Sequence, residues 1–246
     1  MSKTLIVIPS RMKAVRLPNK PLKLINSIPM VVQVYNRAIE SKVGEVIIAT
    51  PDKEIIEVGK KFSCNTILTK NIYNTGTDRV FAAYNEIKDK KFNYIINLQG
   101  DMPNINPSCI RKLNNIIKKK KIKICTLASD LLNKKELKNR SIVKVLTKEP
   151  LNNKNYLKAK DFFRLNNKLI SKNIYHHIGI YGFTSTSLKE YVNLKQSKNE
   201  KNRNLEQMRA IDNNINVHVA LSSSIPLSID TKDELLEMKK IMEYKS

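Results

Sequence analysis

Three short stretches of this sequence put charged side chains where an apolar run has just ended. The first, Ile8 to Leu22 (IPSRMKAVRLPNKPL), spaces Arg11, Arg16 and Lys20 along a loop stiffened by Pro18 and Pro21. Guanidinium forks suit the spread charge of a polyphosphate and an ammonium suits a single oxygen, so the loop reads as an anion site built from side chains. It holds no glycine, which excludes the phosphate loops that depend on close backbone approach. The alternative is a solvated basic loop. The second stretch, Asn97 to Pro103 (NLQGDMP), places Asp101 just past a buried strand, where it reads either as an oxygen ligand for Mg²⁺ or as a turn former. The third, Ser228 to Leu235 (SIDTKDEL), places Asp230 between a short apolar run and a helix, where a ligand and a helix cap are both open readings.

The elements that must position these residues alternate. Strands are expected at Leu5–Ile8, Glu45–Thr50, Asn65–Leu68 and Tyr94–Leu98, and helices at Met30–Glu40, Asp52–Lys61 and Thr77–Ile87. That alternation predicts an α/β fold with a mostly parallel central sheet and helices on both faces, whose ligands bind beyond the carboxyl ends of the strands. Farther on, a Lys-rich helix over Cys109–Lys121 leads to strands at Ile122–Leu127 and Ser141–Leu146. A strand at Ile178–Phe183 then opens into a helix after Thr184. Residues 148–173 are polar and loose, so a variable insertion is expected at about 148–175. Leu205–Ile211 reads as helical, Val217–Leu221 as a strand, and Thr231–Tyr244 as a closing helix with Thr231 and Glu234 as a capping box. No repeat or linker divides the chain, so one domain over 1–246 is expected.

Composition sets the background. The 246 residues carry 45 Lys plus Arg against 22 Asp plus Glu, a formal charge of +23, which invites a nucleic-acid-binding reading. Only nine of those cations are Arg, while Lys, Asn and Ile, which share AT-rich codons, crowd the chain. Scattered Lys of this kind marks base bias more than a phosphate-reading face, and 6% aromatic content without Trp offers little for bases to stack on. No nucleic-acid partner is therefore expected. The N-terminal apolar run is too short for a signal peptide and no segment approaches a membrane span, so a cytoplasmic protein without membrane insertion is expected. Cys64, Cys109 and Cys125 share no metal-like spacing and read as small apolar fillers.

Taken together, the motifs resemble those of the 3-deoxy-manno-octulosonate (KDO) cytidylyltransferase family, also called CMP-KDO synthetases, over nearly the whole chain. The family's P-A-R-x-x-S-T-R-L-P-x-K-P-L is matched at Pro9, Arg11, Arg16, Leu17, Pro18, Lys20, Pro21 and Leu22, and its S-G-T-E-R at Thr75 to Arg79. Its V-Q-G-D-E-P is similar to Leu98–Pro103, its R-H-L-G-I-Y-G-Y to His176–Phe183, its L-E-Q-L-R to Leu205–Arg209, and its G-I-D-T-P-E-D-L to Ser228–Leu235.

The resemblance implies a Rossmann-like nucleotide-diphospho-sugar transferase fold, a homodimer, and transfer of CMP from CTP to KDO with Mg²⁺, for lipopolysaccharide or other surface polysaccharide. It implies that Arg11, Arg16 and Lys20 hold the CTP phosphates, with Arg79 and Gln99 near nucleotide and sugar. Asp101 and Asp230 would bind the metal. Arg164, His177, Tyr181, Glu206 and Gln207, with Gln99, would line the sugar site. Read without the family, His177 and Tyr181 are packed side chains, and Glu206 and Gln207 a solvated helix face.

The chain departs from the pattern at Asn19 for a Gly, Ala14 and Val15 for hydroxyl residues, and Met102 for a Glu. Leu165 to Lys168 stand where the family has P-I-P. These departures open a second reading, a nucleotidyltransferase for a related acidic sugar such as 8-amino-KDO or a nonulosonate. A paralogue that binds nucleotide without turnover is a third, and a basic nucleic-acid-binding protein is the rival outside the enzymes.

Overall fold

A run of five consecutive buried residues, Thr4 to Ile8, opens the computed structural model, which describes residues 3–14, 16–70, 72–88, 92–119, 121–130, 134–164 and 173–243. Its elements, in chain order, begin with β1 (Lys3–Pro9), a 3₁₀ turn (Lys20–Leu22), β2 (Leu24–Ile25), β3 (Ile28–Pro29), α1 (Met30–Glu40) and β4 (Glu45–Thr50). There follow α2 (Lys53–Lys61), β5 (Thr66–Leu68), α3 (Gly76–Glu86), β6 (Phe92–Leu98), α4 (Pro107–Ile117) and β7 (Ile124–Ser129). The remainder are α5 (Lys134–Lys138), β8 (Lys144–Thr147), β9 (Tyr156–Phe163), β10 (Ile174–Thr184), α6 (Ser185–Asn193), α7 (Lys198–Arg203), α8 (Met208–Asp212), β11 (Val217–Leu221) and α9 (Lys232–Glu243). Among the described residues no helix is long and apolar enough to cross a membrane.

The chain divides into two compact units, 1–111 with 226–246, and 112–225. In the first, strands run in the order β5-β4-β1-β6 and every pair is parallel, with Val7 of β1 opposite both Ile47 of β4 and Asn97 of β6. Parallel strands covered by crossover helices lose both faces to the core, which is why Leu5–Ile8 and Ile95–Leu98 are buried without alternation. Helix α3 starts where Thr75 and Asp78 close a capping box, each side chain accepting from the other's backbone N–H.

A satellite core of Leu17, Ile25, Met30, Ile229, Leu235 and Met238 lies under the cationic loop. Leu17 follows Arg16 and Ile229 precedes Asp230, so burial of two apolar neighbours sets where those two charges sit. Burying such side chains contributes about 2 kcal/mol apiece.

In the second unit β7 and β11 are parallel, and the other pairs (β10 with β7, β10 with β8, β11 with β9, β8 with β9) are antiparallel, so the five strands form a closed ring of pairings. Strand β10 bulges between Ile178 and Tyr181 against Leu127 and Thr126. Carbonyls released by a bulge need new donors. The Thr126 hydroxyl supplies one, lying 3.1 Å from the Ile178 oxygen and 2.8 Å from the Ile180 oxygen. Its single proton is spent on these carbonyls, so at the 3.0 Å contact with His177 it accepts, and the His177 Nε2 carries the proton.

Three differences from the sequence reading have physical causes. The stretch read as loose holds β9, because Lys158 and Lys160 stand exposed between partly buried neighbours and mask the strand period. The β2–β3 hairpin turns on Asn26 and Ser27 at φ 48° and 65°, a left-handed pair in strands too short for alternation to register. Residues 206 and 207 form a turn, and the helix read from Leu205 begins at Met208. The closing capping box is present: Thr231 N–H donates to Glu234 Oε2 at 2.8 Å and Glu234 N–H to Thr231 Oγ1 at 3.3 Å.

Two predictions follow from this backbone and its buried rings. Asn19, which enters the 3₁₀ turn at φ 56° and ψ 31°, is left-handed. Asn19→Gly should keep stability within a few tenths of a kcal/mol, and Asn19→Val should lose about 1–2 kcal/mol in chemical denaturation. His177 is fully enclosed, and desolvation, helped by the charge of His176, lowers its pKa to about 3 from 6.5. The unfolded chain therefore binds a proton that the folded chain refuses between about pH 6.5 and 3, so this stability is full above 6.5 and is lost as pH falls. Replacing His177 by Phe should flatten the acid-side decline by up to roughly 1.4 kcal/mol per pH unit, and equal slopes in the two proteins would refute it.

Candidate active site

Within the first unit, a cleft of about 370 Å³ opens at the carboxyl ends of β1 and β6. It is lined by Arg11, Arg16 and Lys20 from the loop after β1, by Arg79 from α3, by Gln99 and Asp101 after β6, and by Asp230 ahead of α9. Gly100 allows this convergence: a Cβ there would stand 3.1 Å from Ser10 Oγ and 3.3 Å from the Pro9 carbonyl, tighter than ordinary contact. A side chain at that position would make the end of β1 give by a few tenths of an ångström.

Lys20 occupies the centre. Its Nζ donates to Asp101 Oδ2 at 2.7 Å and to Asp230 Oδ1 at 2.8 Å. Burial alone would lower the lysine pKa, but the charges of Asp101 and Asp230, and their hydrogen bonds, outweigh it and raise it. Burial likewise pushes Asp230 up, and Lys20 and Arg16 overcome it, so its pKa is lowered. Arg16 reaches Asp230 Oδ2 at 2.8 Å, yet its side chain is 59% exposed against 14% for Lys20. The exposed pair is the weaker of the two.

The cap reading of Asp230 is narrowed by its neighbours, while Asp101 lies in a turn. Thr231 and Glu234 cap the closing helix, which leaves the Asp230 carboxylate to Lys20 and Arg16. The Asp101 carbonyl accepts from Ile229 N–H at 3.0 Å, fastening the two carboxylate segments together. Among the described residues no group of three or more His, Cys, Asp or Glu side chains could hold a metal ion. A pair of carboxylates within reach of one cation does suit Mg²⁺, which keeps water and substrate phosphate as its other ligands.

Arg79 is buried and anchored, donating from Nη1 to Thr69 Oγ1 and to the Lys70 carbonyl, with its guanidinium 5.5 Å from the Tyr73 ring centre. Burial lowers its pKa and the charge of Arg11 lowers it further, against the opposing charge of Asp52. Gln99 is oriented by a relay: its Nε2 donates to Asn97 Oδ1 at 3.2 Å, and Asn97 Nδ2 donates to Thr77 Oγ1 at 3.0 Å.

Apart from Gln99, the residues expected to line a sugar site lie in the second unit. His177, Tyr181 and Phe162 form an aromatic group, with centroids 5.0 Å apart for Phe162 and His177 and 5.5 Å for His177 and Tyr181. Burial, reinforced by the charge of Glu206, holds the Tyr181 hydroxyl protonated. Gln207 is buried beside Glu206 on the same turn. Arg164 engages another group: its Nη1 donates to the carbonyls of Ser141 at 2.9 Å and Arg140 at 3.3 Å, beside the buried Lys144, which holds the carbonyls of Asn139 and Ile142. Val15 and Leu165 to Lys168, which mark departures from the family pattern, lie outside the described residues. Met102, at the position of the family's Glu, is buried.

Several participants escaped the sequence reading. Asn97 is wholly buried, and a polar residue inside the apolar run FNYIINL was a usable signal. Asp52 accepts from Met12 N–H at 2.7 Å and pins the cationic loop; its place after β4, at the carboxyl end of a strand, was another.

Known proteins of one family resemble nearly the whole chain. Residues 5–219 match the profile of the cytidylyltransferase family. The 3-deoxy-manno-octulosonate cytidylyltransferase of Bartonella bacilliformis is 33% identical over 241 residues, covering 98% of each chain. That of Brucella anthropi is 35% identical over 234 residues, 95% of this chain and 94% of its own. Among solved structures, a CMP:2-keto-3-deoxy-manno-octonic acid synthetase complexed with CTP superposes with a TM-score of 0.89 at 29% identity, over the full length of both chains. A UDP-glucose pyrophosphorylase, at 15% identity and a TM-score of 0.70 over the full length of both, shares the Rossmann-like nucleotide-diphospho-sugar transferase fold. The chain belongs to the cytidylyltransferase family, on the branch of the 3-deoxy-manno-octulosonate cytidylyltransferases.

Proposed function

We propose that this chain transfers CMP from CTP to the anomeric hydroxyl of KDO and releases pyrophosphate. The observation that carries the reading is the gathering of Arg11, Arg16 and Lys20 with Asp101 and Asp230 in one cleft, in a chain of this family. The activity named for the relatives, and the CTP held by the related synthetase, supply the substrates.

In this reading the anomeric oxygen attacks the α-phosphorus in line. The new P–O bond forms as the bond to the bridging oxygen breaks, its electron pair leaves with pyrophosphate, and the hydroxyl proton passes to water. Such a reaction needs positioning and charge neutralisation and no covalent nucleophile. Arg11, Arg16 and Lys20 hold the phosphates; Arg79 and Gln99 stand near nucleotide and sugar. Arg164, His177, Tyr181, Glu206 and Gln207 line the sugar site. Asp101 and Asp230 would hold Mg²⁺, which supplies charge screening for the triphosphate and a lower pKa for the attacking hydroxyl. The enzyme works in the cytoplasm as a homodimer, supplying the activated sugar for lipopolysaccharide or another surface polysaccharide.

A second reading, a related acidic sugar as acceptor, is favoured by Leu165-Asn166-Asn167-Lys168 in place of the family's P-I-P. A Mg²⁺-dependent pyrophosphate assay crossed over four nucleoside triphosphates and several sugar acids separates the two. The expected result is turnover with CTP and KDO; turnover with another sugar acid alone selects the second reading, and CTP binding without pyrophosphate overturns both.

Asp101→Asn should cut pyrophosphate release by about 10²–10³-fold with the fold retained by circular dichroism, and full activity would remove Asp101 from the metal site. Lys20→Met should also lose turnover. In the nucleotide-free protein it should bind Mg²⁺ at least about tenfold more tightly by calorimetry, because two carboxylates lose the ammonium that balances them.

A further inference from the structure

Glu206 and Gln207 sit on a turn between α7 and α8, where the Glu206 carbonyl accepts from Arg209 N–H at 3.1 Å. A buried group braces that turn from one side. Glu200 and Arg209 are 3% and 2% exposed and form a bidentate pair, with Arg209 Nε 2.9 Å from Glu200 Oε2 and Nη2 2.6 Å from Oε1. The guanidinium lies 4.8 Å from the centre of the Tyr191 ring. The Tyr191 hydroxyl, itself buried, donates to the Glu206 carbonyl at 2.6 Å. Glu200 is tied at its other end to Ser197, whose N–H donates to Oε2 and whose hydroxyl accepts from the Glu200 N–H.

A buried ion pair is poor evidence of stability, because desolvation cancels most of its attraction and apolar replacements often do as well. Its geometry is what apolar residues cannot reproduce. The guanidinium fork accepts one orientation of Glu200 and presents one face to Tyr191. That face fixes the phenol, and the phenol fixes the carbonyl of Glu206. We propose that Tyr191, held by Arg209 and Glu200, is a positioning residue for the turn that carries Glu206 and Gln207, and that it sets affinity for the acidic sugar without touching it. This rests on the reading that Glu206 and Gln207 line the sugar site.

Tyr191→Phe removes one hydroxyl and keeps the ring. Steady-state pyrophosphate release should show KM for KDO raised roughly three- to tenfold, with KM for CTP and kcat within about twofold. Arg209→Lys, which keeps the charge and loses the fork, should raise the same constant at least as far. A merely structural role predicts a lowered melting temperature with all three kinetic constants unmoved, and that outcome in Tyr191→Phe overturns the proposal even where Arg209→Lys does not fold. Glu206→Gln and Gln207→Ala are the reference. If they raise KM for KDO and Tyr191→Phe does not, the positioning role fails alone; if they too leave it unchanged, the site reading fails with it.

Discussion

A lysine ammonium shared by two carboxylates is the constraint around which the first unit is organised. Asp101 and Asp230 come from positions 81 and 210 residues away from Lys20, and each would repel the other across a partly desolvated space if the ammonium were missing. The packing supports the same geometry. Leu17 and Ile229 bury themselves beside Arg16 and Asp230, Gly100 brings the end of β6 against the end of β1, and the Ile229 N–H closes on the Asp101 carbonyl. Apolar burial supplies the energy and the charges supply the register. Arg11 and Arg79 line the same cleft and their charges oppose each other, with Asp52 offsetting part of that repulsion. The cleft thus joins a lysine balanced by two carboxylates to a pair of guanidiniums that Asp52 balances only in part, and the pair is where a polyanion would gain most.

That division also disposes of the net charge of +23. The few cations proposed to meet an anion sit by a strand end, a helix start or a buried apolar neighbour. The remainder is largely Lys, and scattered charge of that kind raises the general potential of the surface without directing chemistry. Arg, at nine residues, is where the fixed geometry lies: Arg79, Arg164, Arg203 and Arg209 each hold specific oxygens.

How far the sequence could be read depended on how local the determining physics was. Helix α1 and strands β4 and β11 begin and end where apolar periodicity says they should, because their burial is decided by neighbours three or four positions away, or two. Strand β9 was illegible: its Lys158 and Lys160 face water, and what makes it a strand is pairing with β8 and β11, sixty residues away in the second case. The candidate site divides the same way. The motif order assembled Arg11, Arg16, Lys20, Asp101 and Asp230, and the fold puts them in one cleft. The relay from Thr77 through Asn97 to Gln99, and the grip of Arg164 on the 139–142 loop, are hydrogen bonds between segments with no shared pattern. No spacing rule announces such bonds.

Two charge clusters, Glu200–Arg209 and Lys20 with its aspartates, differ in a way that matches what each is proposed to do. Glu200 and Arg209 are almost fully enclosed and joined by two parallel bonds. Opening them would strand two charges in a medium that cannot solvate them, at a cost far above that of any surface pair. Lys20 keeps contact with solvent, meets its carboxylates through a point charge with freely rotating donors, and sits on four flexible methylenes. An ammonium of that kind can exchange carboxylate oxygens for phosphate oxygens with little change in its own solvation, provided a divalent cation takes over the balance of Asp101 and Asp230. Arginine at position 20 would satisfy the resting geometry and resist the exchange, since its planar fork is matched to a carboxylate pair already in place. Rigidity under the turn proposed to face the acceptor, and exchangeability at the proposed nucleotide site, would therefore be drawn from the same interaction, separated by burial and by the choice of lysine or arginine.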